Sequence, residues 1–332
     1  MANKKAKDRD YLFLSSYSHA RETRLLTAED LERMVTAPSK IEVGRVLEEA
    51  GYEGIVGVSI RTLEQKLAEN RLAFYRELET FAPDTNVLDI FRAKYDYHNA
   101  KAIIKSLAQG KAHTGSLSEL GRIPSKLMVE AIVREETDQL PEKMALSIVQ
   151  AKEKLLKTGN PQACDQILDN AYFSEIAELA DRTGSERARG YVRLLADVTN
   201  LRTVVRVERQ KQPEHVLQTS LTEGGSLLPE TILTEVDAGQ TVDAIFTDAA
   251  LQKAAAAGAA AVEGGTMTEF ERLCDNAMNA YCADARRETF GPGTVVAYLH
   301  FLENETTAVR IIVSSRAAGL RGDSIRERLR EV

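Results

Sequence analysis

The sequence predicts an all-α protein, and three observations carry that reading. Apolar residues recur at three- and four-residue spacing along most of the chain, the period of one helix face. Period-two alternation is rare and never sustained, so a sheet has little to build from. Glycine and proline breakers part the helical stretches at irregular intervals. The composition agrees: 332 residues with 43% apolar and 28% charged residues suit a soluble globular protein with a sizeable core.

In chain order, the first periodic stretch is "LLTAEDLERMV" (25–35), where Thr27 stands ahead of acids as a helix start. Next come "LEQKLAENRLAFYRELETF" (63–81) and the apolar surroundings of "YDYHNAKAIIK" (95–105). Breakers at Gly110–Gly115 and Gly121–Pro124 close that segment. "MALSIVQAKEKLL" (144–156) follows, and then Pro161, after Asn160, opens a further helix. The stretch "YVRLLADVTNLRTVVRVE" (191–208) runs towards breakers at Gly224–Pro229. The last helical segments are divided at Gly264–Gly265 and Gly291–Gly293. "AAAAGAAAV" (254–262) is the nearest approach to a membrane span, and it falls well short of the ~20 apolar residues required.

The chain repeats itself. Asp96, Asn99 and Lys105 stand at the same spacings as Asp197, Asn200 and Arg206. Asn304 and Arg310 keep the last two places, with Phe301 at the Asp position. The three Asn residues lie 101 and 104 apart, and "DNA" precedes the second and third by 30 and 28 residues (Asn170 to Asn200, Asn276 to Asn304). "GRIPSKL" and "GSLLPETIL" follow the first and second Asn as matching turns. A fixed register of this kind marks one unit written three times, over 1–123, 124–228 and 229–332. The first unit is the least regular, with either "LEEAGYEGI" (47–55) or "AENRLAF" (68–74) as its counterpart to "LDNAYF" (168–173).

Residues at i and i+3 share a helix face, so each Asp-x-x-Asn presents two polar groups side by side within an apolar helix. Each group left unsatisfied there would cost ~1–3 kcal/mol. The expectation is therefore hydrogen bonding to neighbouring helices, a device that sets helix registry. A catalytic pair has no reason to recur three times. The histidines His19, His98, His113, His215 and His300 are scattered without metal-ligand spacing, and His98 is expected to be an ordinary helix histidine. No phosphate-cradling loop and no nucleophile elbow occur. The sequence therefore calls for no cofactor, no metal and no catalytic residue. Cys164, Cys274 and Cys282 read as buried thiols in a reducing compartment. The net charge of −7 argues against nucleic-acid binding, and the N-terminal stretch lacks the apolar core of a signal peptide. The tail from Arg310 is locally basic, and Arg321, Arg326, Arg328 and Arg330 are candidates for docking an acidic partner.

The whole chain resembles the C subunit of the V-type/A-type rotary ATPases, the counterpart of the eukaryotic V-ATPase d subunit. The resemblance runs from "SYSHARETRLL" through "YDYHNAKAIIK", "LPEKMALSIVQA", "DNAYFSEI" and "LADVTNLRTVVR" to "EGGSLLPETIL" and "VVAYLHFLENETTAVRIIVSSRAAGL". Order and spacing over nearly the full length carry it. One departure lies at "LENETTAVR", where Thr306 and Thr307 weaken the acidic character usual near Asn304. The resemblance implies a funnel-shaped protein of three similar domains related by pseudo-threefold symmetry. It also implies a non-catalytic socket, a monomer within its complex, joining the membrane proteolipid ring to the D and F subunits of the central stalk. Such a protein is cytoplasmic and peripheral to the membrane, without entering the bilayer. The alternative is a helical-repeat adaptor unrelated to rotary ATPases, which would have shorter and more uniform repeats.

Overall fold

The computed structural model describes residues 6–110 and 117–330. Gly115 and His113 lie outside the described residues. All regular structure among the described residues is helical. In chain order the α-helices are α1 (Leu12–Glu22), α2 (Ala28–Thr36), α3 (Lys40–Glu49), α4 (Ile60–Phe81) and α5 (Asn86–Ala108). Then come α6 (Ser125–Arg134), α7 (Glu142–Thr158), α8 (Pro161–Thr183), α9 (Glu186–Arg209), α10 (Glu214–Ser220) and α11 (Pro229–Asp237). The last five are α12 (Val242–Ile245), α13 (Gln252–Val262), α14 (Met267–Ala285), α15 (Pro292–Ala317) and α16 (Gly322–Arg326).

Local chemistry accounts for several of these boundaries. Thr27 and Asp30 form a reciprocal capping box at the start of α2, each side chain accepting from the other's backbone N–H. Ser39 and Ser59 cap α3 and α4 through Glu42 N and Thr62 N. Asn160 Oδ1 accepts from Gln162 N as α8 opens on Pro161, whose missing N–H costs nothing at that position. Gly159 ends α7 in the left-handed region at φ 63°. No helix among the described residues is long and apolar enough to cross a membrane.

The chain forms two compact units, each assembled from separate stretches of sequence. One comprises Met1–Asp84, Gly184–Tyr191 and Thr241–Val332; the other comprises Thr85–Thr183 and Val192–Gln240. In the first, the C-terminal half of α15 supplies Val309 and Ile312 to a core completed by Leu31, Met34 and Val35 of α2, Val46 and Leu47 of α3, and Leu67 of α4. In the second, Tyr97, Ile103 and Ile104 of α5 pack with Met128 and Ile132 of α6, Met144 and Ile148 of α7, and Cys164 and Leu168 of α8. Burying each such Leu, Ile or Met side chain is worth about 1.5–3 kcal/mol before entropy is charged against it. Cys164, Cys274 and Cys282 are free, buried thiols, and Cys164 belongs to the second of these cores.

Candidate functional site: backbone clamps and a buried acid

Asp96 and Asn99 stand one turn apart on α5, and both are wholly buried. The Asn99 side chain exchanges two hydrogen bonds with a single residue of the loop that follows the helix. Its Oδ1 accepts from Ser118 N at 2.9 Å and its Nδ2 donates to Ser118 O at 2.8 Å. Asp96 holds the same loop further on, accepting from Ile123 N at 3.1 Å and from Arg122 Nε at 2.7 Å. Arg122 continues to Glu175 of α8 at 2.6 Å, and Tyr97 OH donates to the same carboxylate at 2.8 Å. Burial pushes the Asp96 carboxyl upward against the opposing pull of Arg122. Burial also disfavours the Arg122 cation, but Glu175 and Asp96 outweigh it and hold the guanidinium charged.

The second signature repeats this geometry. Asn200 Oδ1 accepts from Thr222 N at 2.8 Å, and Nδ2 donates to Thr222 O at 2.8 Å. Asp197 accepts from Ser226 N and from Ser226 Oγ, both at 2.7 Å. A glycine lies under each Asp: a Cβ built on Gly121 would collide with Asp96 Oδ1, and one on Gly225 with Asp197 Oδ1. The two glycines are thus required by close approach rather than by backbone dihedral. The sequence expectation of partners on neighbouring helices is corrected here. The main-chain partners of Asn99 and Asp96 lie in the loop between α5 and α6, and those of Asn200 and Asp197 lie beyond α10, in the loop between α10 and α11. A primary amide matches a peptide group donor for acceptor, so a loop folding back across the helix face is its natural complement.

The third signature is built differently. Asn304 Nδ2 donates to Asn279 Oδ1 at 2.6 Å, beside His300, whose Nε2 contacts the same oxygen at 2.8 Å. Phe301, at the Asp position, carries the Arg286 guanidinium 3.6 Å above its ring. The remaining signature cations are engaged as well: Lys105 with Asp165 at 2.7 Å, Arg310 with Glu64 at 2.6 Å, and Arg206 also holds an interaction. The acids of the repeated "DNA" words form ion pairs, Asp169 with Lys101 and Asp275 with Arg330. In the tail, Arg326 pairs with Glu32 and Asp323. Arg321 and Arg328 are exposed, with no side-chain partner among the described residues.

Sequence reasoning missed Glu305. Its carboxyl, 6% exposed on α15, accepts from Tyr52 OH and from the backbone N–H of Leu26, and burial pushes its pKa upward. Glu303, two residues earlier, accepts from Arg71 at 3.3 Å and from Tyr75 OH at 3.2 Å. Carboxyls thus flank Asn304 on both sides, at Glu303 and Glu305. The available signal was the pair of acids in "LENE", set in an otherwise apolar helix. His98 lies exposed on α5, whereas His300 is the histidine drawn into a buried network. No group of three or more His, Cys, Asp or Glu side chains among the described residues is arranged to hold a metal ion.

Fold and site together define an all-helical protein whose recurring polar residues hold its own backbone in place. The chain belongs to the ATP synthase (C/AC39) subunit family, whose pattern matches residues 14–328. The V-type sodium ATPase C subunit of Enterococcus hirae is 22% identical to it over 327 residues, covering 97% of this chain and 99% of that protein. The A-type ATP synthase C subunit of Haloquadratum walsbyi is 21% identical over 343 residues, covering 95% and 96% respectively.

Proposed function

We propose that this chain is the central-rotor connector of a V/A-type rotary ATPase. It seats on the membrane proteolipid ring, receives the D and F subunits of the stalk, and passes torque between them without covalent chemistry. It does so as a single copy, peripheral to the membrane on the cytoplasmic side. The observation that carries this reading is family membership over residues 14–328, with two C subunits of rotary ATPases aligned along nearly their whole lengths.

The physics of the chain supports it. A torque coupler needs stiffness more than reactivity. Helices of 23 to 26 residues, as in α5, α8, α9 and α15, are rods of about 35–39 Å. Two of the connecting loops are tied to such rods by paired hydrogen bonds. The three-unit organisation over 1–123, 124–228 and 229–332 is part of the same proposal, supported by the matched clamps at Asn99 and Asn200.

The test is reconstitution. The purified chain is mixed separately with membranes stripped of the catalytic head and with the isolated D and F subunits. Binding to both is expected. A well-folded chain that binds neither would overturn the assignment and favour an unrelated helical adaptor.

A further inference from the structure

In the first compact unit, the start of α3, the segment leading into α4 and the end of α15 enclose a cleft of about 480 Å³. Its floor belongs to the apolar core, through Val43 and Leu63. The walls open to solvent are apolar too: Pro38, Ile60 and Ala317 are exposed, and Val58 and Val313 are half-buried.

The polar side chains of the cleft are mostly committed elsewhere. Ser39 and Ser59 accept from Glu42 N and Thr62 N as helix caps. Arg316 donates to the backbone carbonyls of Val35 and Ala37. Lys40, exposed in the first turn of α3, has no side-chain partner among the described residues. No carboxylate of the described residues lines the cleft. The neighbouring acids Glu42 and Glu64 lie outside the lining and pair with Arg45 at 3.0 Å and Arg310 at 2.6 Å.

This chemistry selects the occupant. A sugar, nucleotide or peptide needs many hydrogen-bonding partners, and these walls would bury its polar groups at a cost. An alkyl chain needs none, and it gains by taking exposed apolar wall out of water. Lys40 and Arg316, with no carboxylate in the lining to oppose them, favour a negative head group. The volume falls within the ~300–1,000 Å³ of clefts that hold small ligands, which suits one chain.

We propose that this cleft binds a single-chain alkyl carboxylate, with the chain against Val58, Ile60 and Val313 and the head group beside Lys40. The site is independent of the rotor assignment, because it lies within one unit of the chain.

The test is isothermal titration of the full chain with octanoate, decanoate and uncharged 1-octanol, each below the concentration at which it aggregates. Saturable one-to-one binding of both carboxylates is expected, tightening about fourfold for each added methylene. Ile60→Asp should weaken octanoate and octanol alike by about tenfold, and an acid is well tolerated in the first turn of α4. Lys40→Glu should weaken octanoate about fivefold and leave octanol unchanged. Arg24→Glu, an exposed reversal in the same unit outside this lining, should alter neither. Absence of saturable carboxylate binding, or affinity independent of chain length, would overturn the proposal. So would unchanged binding in Ile60→Asp, or equal effects of Lys40→Glu on octanoate and octanol.

Discussion

Glu305 carries a carboxyl that the fold prefers neutral. Burial raises its pKa, partly opposed by the hydrogen bonds from Tyr52 and Leu26. Its folded-state pKa lies above the unfolded value of about 4.3, so the folded protein binds the proton more tightly. The associated stability is fully present below about pH 4.3 and is lost as pH rises through the folded pKa. Glu305→Gln cannot ionise and lacks this loss. Chemical denaturation across pH 4 to 8 should therefore show wild type losing stability relative to Glu305→Gln as pH rises, with the difference levelling off above the folded pKa. A difference independent of pH would show that Glu305 ionises as readily in the fold as outside it.

The helix-and-loop clamp is a set of interactions that act together. Asn200→Leu removes two hydrogen bonds and leaves the backbone N–H and C=O of Thr222, 3% exposed, without partners. We expect a loss of about 3 kcal/mol in thermal or denaturant unfolding. Asn99→Leu should cost less, because Ser118 is only partly buried and water can replace the lost partner. Unchanged stability in Asn200→Leu, with membrane binding abolished, would make the helix a contact surface instead of a strut. The glycines give a sharper test. Gly225→Ala should cost about 2 kcal/mol by driving a methyl into the pinned Asp197 carboxylate. Adding Asp197→Ala removes the obstacle, so the double variant should lose clearly less than the sum of the two single losses. Additive losses would mean the methyl strikes something else.

For the whole molecule, the linear repeat and the spatial division follow different rules. The repeat marks where one helix-plus-loop device recurs along the chain. The compact units mark where apolar faces found one another, and both are drawn from distant stretches of sequence. Assembly belongs to this scale. Of the four tail arginines, Arg326 and Arg330 neutralise carboxylates within their own unit, whereas Arg321 and Arg328 remain available. Arg321→Glu with Arg328→Glu should weaken binding to stripped membranes or to the D and F subunits, and increasingly so as salt is lowered. An unaltered complex would leave both as ordinary surface.

The all-helical character, the longer periodic helices, the helix starts at Thr27 and Pro161 and the Asp-x-x-Asn signature were legible in the sequence, because each arises from chemistry spanning a few residues; short helices such as α12 were not. The polar partners were not. Asn99 and Ser118 are separated by 19 residues, and only the path of the returning loop brings them together. Glu305 meets Tyr52 and Leu26 from 253 and 279 residues away, through packing that no local pattern encodes. The sequence by itself determined an all-helical chain with a recurring polar device and nothing resembling a catalytic motif. Tertiary structure alone decided that Asn99 and Asn200 clamp backbone, that Asn304 instead meets side chains, and that Glu305 is buried against Tyr52 and Leu26. Periodicity and capping are short-range effects that a linear reading can follow, whereas burial and hydrogen-bond partnership depend on which segments converge.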